Sequence, residues 1–460
     1  MHFNNFPLIS SKSLNFLIFL FPFSFILGNP FINIEVILIS VLGLLLYKNE
    51  ILNLKKDIII NFIILFFILI IISTLVDIYQ DPQNKNLLKS ILYLRYCILL
   101  LVLGCAVKKE NINFKLLFFS CFICSTFISL DVIFQFIIGK NFLGFASSKY
   151  HNSSVFGEEL IAGSFIQKFG ILGIFFTATI FKQRGKYFFA LPLCLTIFTT
   201  GIILAGNRMP LLLVLLFIFL GTILIKEIRF SLILSFFLSV VIFLIILNAN
   251  PNYKDRYTGF LGNAMNLSGK IRNELKRGSY PELKEMTDEK KQKLFYYQRR
   301  ALLKDDFLGK KYSLLPMTTG HGIIYITAID TWLDKPIIGS GIKSFRIKCL
   351  KKLHLPNRIC QNHPHNYYLE ILNDSGVVGT LLLILTISYL LIKKFRNHLN
   401  FKIKYDSNNL IFYVIFLTLI AELFPLRSSG SFFSTYNSAF IFFLIGLLLN
   451  IDRTFKKIKN

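Results

Sequence analysis

Long apolar runs alternate with short polar stretches along almost the whole chain. About twelve runs approach the roughly 20 residues that a helix needs to cross the hydrocarbon core. They lie near 14–28, 31–47, 58–76, 88–107, 115–138, 161–181, 187–205, 209–225, 229–247, 366–392, 409–424 and 436–451. The short alternating strands of a membrane barrel are absent. The pattern predicts an all-α polytopic membrane protein of about 12 transmembrane helices. One long polar stretch, 249–365, interrupts the series. The expected parts are therefore helices 1–9 over 1–248, a large loop over 249–365, and helices 10–12 with a tail over 366–460. Only Lys12 precedes the first run, with no small-residue cleavage site, so that run reads as a retained helix and not a cleaved signal.

Charge sets the orientation. In a soluble chain a net charge of +26 would point to nucleic acid. Here the composition is 54% hydrophobic and the cations lie between apolar runs, where they anchor the chain at lipid headgroups. With the N-terminus inside, the inner segments, such as "YKNEILNLKKD", "KKENINFK" and "KKFRNHLNFKIK", hold roughly 21 Lys and Arg; the short outer loops hold a handful. The loop 249–365 then faces the periplasm of a Gram-negative cell, and both termini are cytoplasmic. The chemically loaded polar segments all fall on that outer side: 147–165, 205–210, the long loop, and 425–437. A transporter would carry its ionisable residues nearer the midplane. Within the loop, 265–315 is Lys-rich and lacks an apolar period. It reads as disordered in part or as a short helical insertion that contacts acidic headgroups or glycan.

Each outer segment offers a chemical reading beside a plain one. In "LAGNRMPLLLVLL", Arg208 and the positive end of a helix dipole suit an anion such as phosphate; the plain reading is a snorkelling anchor. In "PLRSSGSFFSTYN", Arg427 precedes small hydroxyl residues and a glycine that would let backbone donors approach an oxyanion, or the stretch is a polar turn with one anchoring cation. Arg256 in "ANPNYKDRYTGF" is a charged helix exit. Glu158 and Glu159 precede a helix start, as capping carboxylates do. Lys168 and Arg95 lie inside apolar runs, where a charge costs a few kcal/mol and usually faces a polar interior. Cys349 and Cys360 are close in a polar stretch, which in an oxidising compartment favours a disulfide stabilising by about 3 kcal/mol. A zinc site with His354, His363 or His365 is the rival, although the spacing fits no standard zinc pattern. The other five cysteines, Cys97, Cys105, Cys121, Cys124 and Cys194, sit in apolar runs as packing residues. In "HPHNYYLEILNDSGVVG", Pro364 biases His363 away from helix and starts a turn. His365, Tyr368 or Leu369, and Leu372 are then expected on one helical face. A neutral His365 at the membrane boundary is either a general base for a sugar hydroxyl or a capping histidine with aromatic anchors.

"HPHNYYLEILNDSGVVG" resembles the signature of the O-antigen ligase and O-antigen polymerase (Wzy-C) superfamily, a His-Asn-x-Tyr-Leu core followed by Gly-x-x-Gly. "AIDTWLDKPIIGSGIKSFR", "AGNRMP", "PLRSSGSFFSTYN" and "FGEELIAGSF" are similar to further segments of that superfamily in order and spacing. The resemblance implies a GT-C-like, metal-independent, inverting glycosyltransferase with no cofactor. Its donor would be a glycan on undecaprenyl pyrophosphate, used at the outer face of the bacterial inner membrane in lipopolysaccharide or polysaccharide biosynthesis. A ligase would pass the glycan to lipid A–core; a polymerase would pass it to another lipid-linked glycan. A lipid-linked oligosaccharide flippase is the rival from another class. On this reading His365 and Arg208 are catalytic. Arg256, Arg427, Lys168, Arg95 and Glu159 hold pyrophosphate or glycan. Met209-Pro210 departs from the small residues that often follow the arginine in relatives.

Overall fold

The computed structural model describes residues 6–54, 57–81, 85–180, 186–265, 320–353, 355, 358–400, 407–428 and 430–451. The expected insertion at 265–315 and His354 therefore lie outside the described residues, save for Met265. Every apolar run is helical. The helices are α1 (Phe6–Leu27), α2 (Asn29–Asn53), α3 (Ile58–Gln80), α4 (Leu87–Leu92), α5 (Leu94–Lys108), α6 (Phe114–Ile138), α7 (Ala162–Phe165), α8 (Ile171–Ile180), α9 (Lys186–Leu204), α10 (Arg208–Leu224), α11 (Arg229–Ala249) and α12 (Pro251–Met265). After the long insertion come α13 (Gly320–Trp332), α14 (Phe345–Lys348), α15 (Tyr367–Asn400), α16 (Ser407–Glu422) and α17 (Thr435–Leu449). A π turn, Ile166–Gly170, joins α7 to α8.

Six helical segments are long and apolar enough to cross a membrane: Asn29–Asn53, Ile58–Gln80, Leu87–Lys108, Phe114–Ile138, Lys226–Ala249 and Tyr367–Leu399. The other six expected spans form shorter apolar helices of 10–17 residues. Several of these short helices carry the outer polar segments at their ends, because Arg208, the 147–161 loop and the 423–434 loop cut the apolar run.

Helix α17 has no polar face after its first turn and is accordingly the centre of the bundle. Asn437 through Leu449 are all buried. Its phenylalanines interlock with four neighbours: Phe443 stacks on Phe21 at 4.1 Å, Phe440 meets Phe169 edge-on at 5.2 Å, and Phe442 lies 5.1 Å from Phe67 and 6.1 Å from Tyr93. Such ring pairs contribute about 0.5–1.5 kcal/mol each beyond the area they bury.

The described second half of the 249–365 insertion is fastened to the bundle at two places. The first is α15, which is broken at Gly376 (φ +64°). The break frees the amides of Val377 and Val378, and these donate to the carbonyls of Pro336 (2.9 Å) and Ile337 (3.1 Å). In the opposite sense, Ser340 and Gly341 donate to the carbonyls of Asn373 and Asp374 at 2.9 Å each. The Asp374 carboxylate accepts from Lys343 N (2.6 Å), Ser344 N (3.1 Å) and Ser344 Oγ (2.8 Å). The glycines of "IIGSG" and "NDSGVVG" thus meet backbone to backbone. A β-carbon on Gly376 would lie 2.2 Å from Ile337 O, and one on Gly339 (φ +73°) would lie 2.5 Å from Gly376 N. The second fastening is the outer end of α3. Asp77 pairs with Lys335 and with Lys348 (3.0 Å), and Asp81 pairs with Lys348 (2.9 Å) and Lys351 (2.6 Å).

Alanine at Gly376 or Gly339 therefore combines left-handed strain of about 1–2 kcal/mol with an outright backbone clash. Gly28→Ala is the comparison: φ is +99° there too, but a β-carbon would meet nothing within 4 Å. Thermal unfolding of detergent-purified protein should show a much larger loss for Gly376→Ala than for Gly28→Ala. Equal losses would sink the interlocked-glycine account.

Candidate active site

Helix α15 starts one residue later than its sequence pattern implies. The Asn366 side chain caps it, with Oδ1 accepting from Tyr368 N (3.0 Å) and Leu369 N (3.1 Å). His365 therefore stands outside the helix, and the expected shared face with Leu372 does not form. It is held in the left-handed region at φ +58°, a conformation that costs a non-glycine residue about 1–2 kcal/mol and aims the ring away from the helix. Its Nε2 lies 3.3 Å from Gln361 Oε1. Two other imidazoles flank it, His363 at 4.2 Å and His321 at 5.3 Å between ring centroids. Burial first, then the neighbouring His363 and His321, push His365 down to about 3; burial and the Arg346 charge push His363 down to about 4. Both rings are neutral at physiological pH, so His365 presents a lone pair. An anion bound beside it would raise its proton affinity towards the working range of a general base.

Arg208 and Arg256 gather next to this cluster, Arg208 through its reach to His321. Arg208 opens α10 and is exposed. Arg256 on α12 is half-buried, and its Nε and Nη2 donate to Gly206 O at 3.2 and 3.1 Å. Their charges act on each other, and the charge of Arg208 also reaches His321 and His151. Two segments that the sequence keeps apart hold the Arg208 turn. Asn207 Oδ1 accepts from Gly163 N (3.1 Å) and its Nδ2 donates to Leu160 O (3.1 Å). Gly206 (φ +72°) sits so close to Tyr150 that a β-carbon would lie 2.0 Å from the Tyr150 carbonyl oxygen. Arg208, Arg256, His321 and His365 thus make one group in which two guanidinium charges stand near imidazoles, with Arg208 and His321 exposed.

Arg427 and Lys168 come together elsewhere, on a residue the sequence reading did not single out. Glu422, at the end of α16, is fully buried and pairs with Lys168 and with Arg427 Nη1 (2.8 Å). Tyr367 OH donates to the same carboxylate at 3.0 Å, and the Arg427 guanidinium lies 5.0 Å over the Tyr367 ring. Lys168 is wholly buried and Arg427 is 2% exposed. The available signal was "AELFPLR", a carboxylate closing an apolar run five residues before an arginine. The expected oxyanion cradle of the 428–431 turn is occupied from within the chain: Ser431 Oγ and Phe432 N each donate to the Glu370 carboxylate at 2.6 Å. Ser429 lies outside the described residues.

The remaining candidates have local partners. Arg95 donates to Leu92 O (2.7 Å) and Tyr96 OH (2.8 Å), with its guanidinium 4.4 Å over the Tyr96 ring. Glu159 is exposed, and its amide donates to Phe156 O at 3.1 Å. Cys349 and Cys360 are joined as a disulfide with their Cα atoms 5.1 Å apart, so neither is available as a metal ligand. The bond brackets the chain that leads to Gln361 and His365. Below the signature, an apolar cleft runs between α15 and α16, lined by Tyr367, Ile371, Leu383, Ile387 and Leu423 among others. Tyr368 OH donates to Leu423 O at 2.5 Å at its outer end.

A family model described as O-antigen ligase (Wzy_C) matches residues 193–384. That stretch contains Arg208, Arg256, His321 and His365, whereas Lys168, Glu422 and Arg427 lie outside it. Comparison with curated proteins gives no match.

Two outcomes follow. Removing the carboxylate with Glu422→Gln leaves two buried cations on no anion, and should cost about 3–5 kcal/mol in a denaturation experiment. Unchanged stability would reject the shared-carboxylate account. For the histidines the folded proton affinity lies below the unfolded one, so their stabilising effect is complete above about pH 6.5 and is lost as pH falls towards 4 and then 3. The slope is at most about 1.4 kcal/mol per pH unit for each ring. A His363→Gln, His365→Gln double variant should therefore lose less stability than wild type between pH 6.5 and pH 5. A parallel pH dependence would contradict the burial of these rings.

Proposed function

We propose that this chain, whose residues 193–384 match a family model described as O-antigen ligase, is a membrane glycosyltransferase that moves a glycan from a polyprenyl pyrophosphate to lipid A–core. The observation that carries this reading is the proximity of Arg208 to Arg256 and to His321, whose ring lies 5.3 Å from the buried imidazole of His365. Family membership supports an O-antigen ligase- or polymerase-like activity in general, on a multi-pass membrane protein. The donor, the acceptor and the roles of individual residues are the proposal.

The chemistry needs little beyond what the chain holds. Cleaving the bond between the anomeric carbon and the pyrophosphate leaves its electron pair, and a growing negative charge, on the phosphate oxygen. Guanidinium groups fixed in advance stabilise that charge without reorganising. The acceptor hydroxyl attacks the opposite face of the sugar and inverts it, and His365 takes the hydroxyl proton. Oxygen gains a bond to carbon, phosphate gains the electron pair, and one proton passes to the imidazole. The apolar cleft between α15 and α16 would take the polyprenyl tail, leaving the pyrophosphate at the level of the signature. Arg427 and Lys168, satisfied by Glu422, act on this reading through the field they set beneath the pyrophosphate. Arg95 and the exposed Glu159 are assigned on this reading to an extended glycan. The site would face the periplasm of the inner membrane, with both termini in the cytoplasm.

A polymerase would use the same donor chemistry and differ only in the acceptor. A lipopolysaccharide profile of a deletion strain separates the readings. Bare core with accumulated long lipid-linked glycan is expected; core with a single repeat unit would mean a polymerase, and a cytoplasmic build-up of lipid-linked units a flippase. In transfer assays with purified protein, His365→Ala should lower turnover by about 100- to 10,000-fold and Arg208→Ala by about 100- to 1,000-fold, at normal membrane levels. Full activity in His365→Ala would remove its catalytic assignment.

A further inference from the structure

His365 must lose the proton it gains before it can serve a second turnover, and its surroundings decide the route. The Nε2 side is held by Gln361. One flanking imidazole, His363, is a poor recipient: its Nε2 is buried without a hydrogen-bond partner, and Arg346 holds a positive charge beside it. The other, His321, also feels burial and a nearby arginine, but it opens to solvent. It is exposed, it opens α13, and its ring meets His365 edge-on with centroids 5.3 Å apart, a spacing that allows handover directly or through one water. Tyr325, one turn further along α13, presents its ring 6.3 Å away. The charged group that acts on His321 is Arg208, the residue whose charge a bound pyrophosphate would offset.

We propose that His321 is the proton-relay residue of the transfer reaction, carrying the proton from His365 to bulk water on the outer face. The inference rests on the glycosyltransfer reading above. The acceptor O–H proton moves to His365, then to His321, then to solvent, while the electron pair of the cleaved bond leaves with the pyrophosphate; no other reactant is consumed. Arg208 couples the two halves of the reaction. With the pyrophosphate bound, its charge no longer opposes an imidazolium on His321, so the relay opens when donor is present.

The test uses the full-length wild-type chain and the variants His321→Gln and His321→Asn, purified as folded monodisperse protein and assayed with lipid-linked donor and acceptor. Turnover should fall by about 10-fold or more with the donor KM unchanged. Added imidazole should restore turnover in both variants, while wild type stays indifferent to it, because a small base replaces a missing proton carrier but not a missing structural contact. Full turnover in the variants overturns the inference. So does a loss that imidazole leaves untouched, and a loss confined to donor KM would make His321 a pyrophosphate ligand instead. A wild-type chain that transfers no glycan overturns the underlying reading, an outcome distinct from active wild type with active variants.

Discussion

The peptide groups of residues 336–341 and of residues 373–378 use each other as hydrogen-bonding partners, and the geometry of the candidate site depends on that exchange. A helix normally satisfies its own amides. Helix α15 is interrupted at Gly376, and the groups so released are satisfied by a loop that is neither helix nor strand. The arrangement fixes the first two turns of α15, hence Asn366 at its cap, hence the left-handed His365 in front of it. It also fixes the segment that the Cys349–Cys360 bond holds. The His365 backbone is consequently set by peptide geometry at a glycine pair some ten residues away, while its ring packs on His363 and His321.

Beneath this joint the chain places charges in a region where each one is expensive. It keeps them by sharing. One carboxylate, Glu422, serves Lys168, Arg427 and the Tyr367 hydroxyl, and one carboxylate, Glu370, serves the Ser431 hydroxyl and the Phe432 amide. Three residues of the signature, Asn366, Tyr367 and Glu370, are each engaged with the 422–432 region. The signature therefore works in this structure as a clamp on the α16–α17 connection as much as a carrier of His365.

Much of the architecture was readable in the residues. Apolar run length marked the twelve runs that fold as helices but not α12 or α13, and the asymmetry of cations set Arg208, Arg256 and His365 on one expected face. What escaped was specific to long-range contact. His321 sits in a loop whose helical period over 320–332 is short and whose partner in sequence is more than forty residues away. Glu422 looked like the end of a span, since nothing local shows that Lys168, 254 residues earlier, reaches it. The backbone donors expected from the Ser-Gly turn at 428–431 are not what meets a carboxylate there: the Ser431 hydroxyl and the Phe432 amide hold the chain's own Glu370. Local pattern reports which groups need a partner; it does not report who supplies one.

The π turn at Ile166–Gly170 has a consequence for how this chain can vary. A π turn accommodates one residue more than the α-helix around it. Losing one residue there would restore a regular helix with its flanks in register and redistribute the side chains of 166–170 around the axis. Lys168 would then swing off Glu422 and towards the phenylalanines or the lipid. Length changes of one residue are usually harmless in surface loops and merely awkward in helices. At this site a single-residue deletion would act as a change of charge placement, and lineages that shorten the segment must first dispense with the lysine.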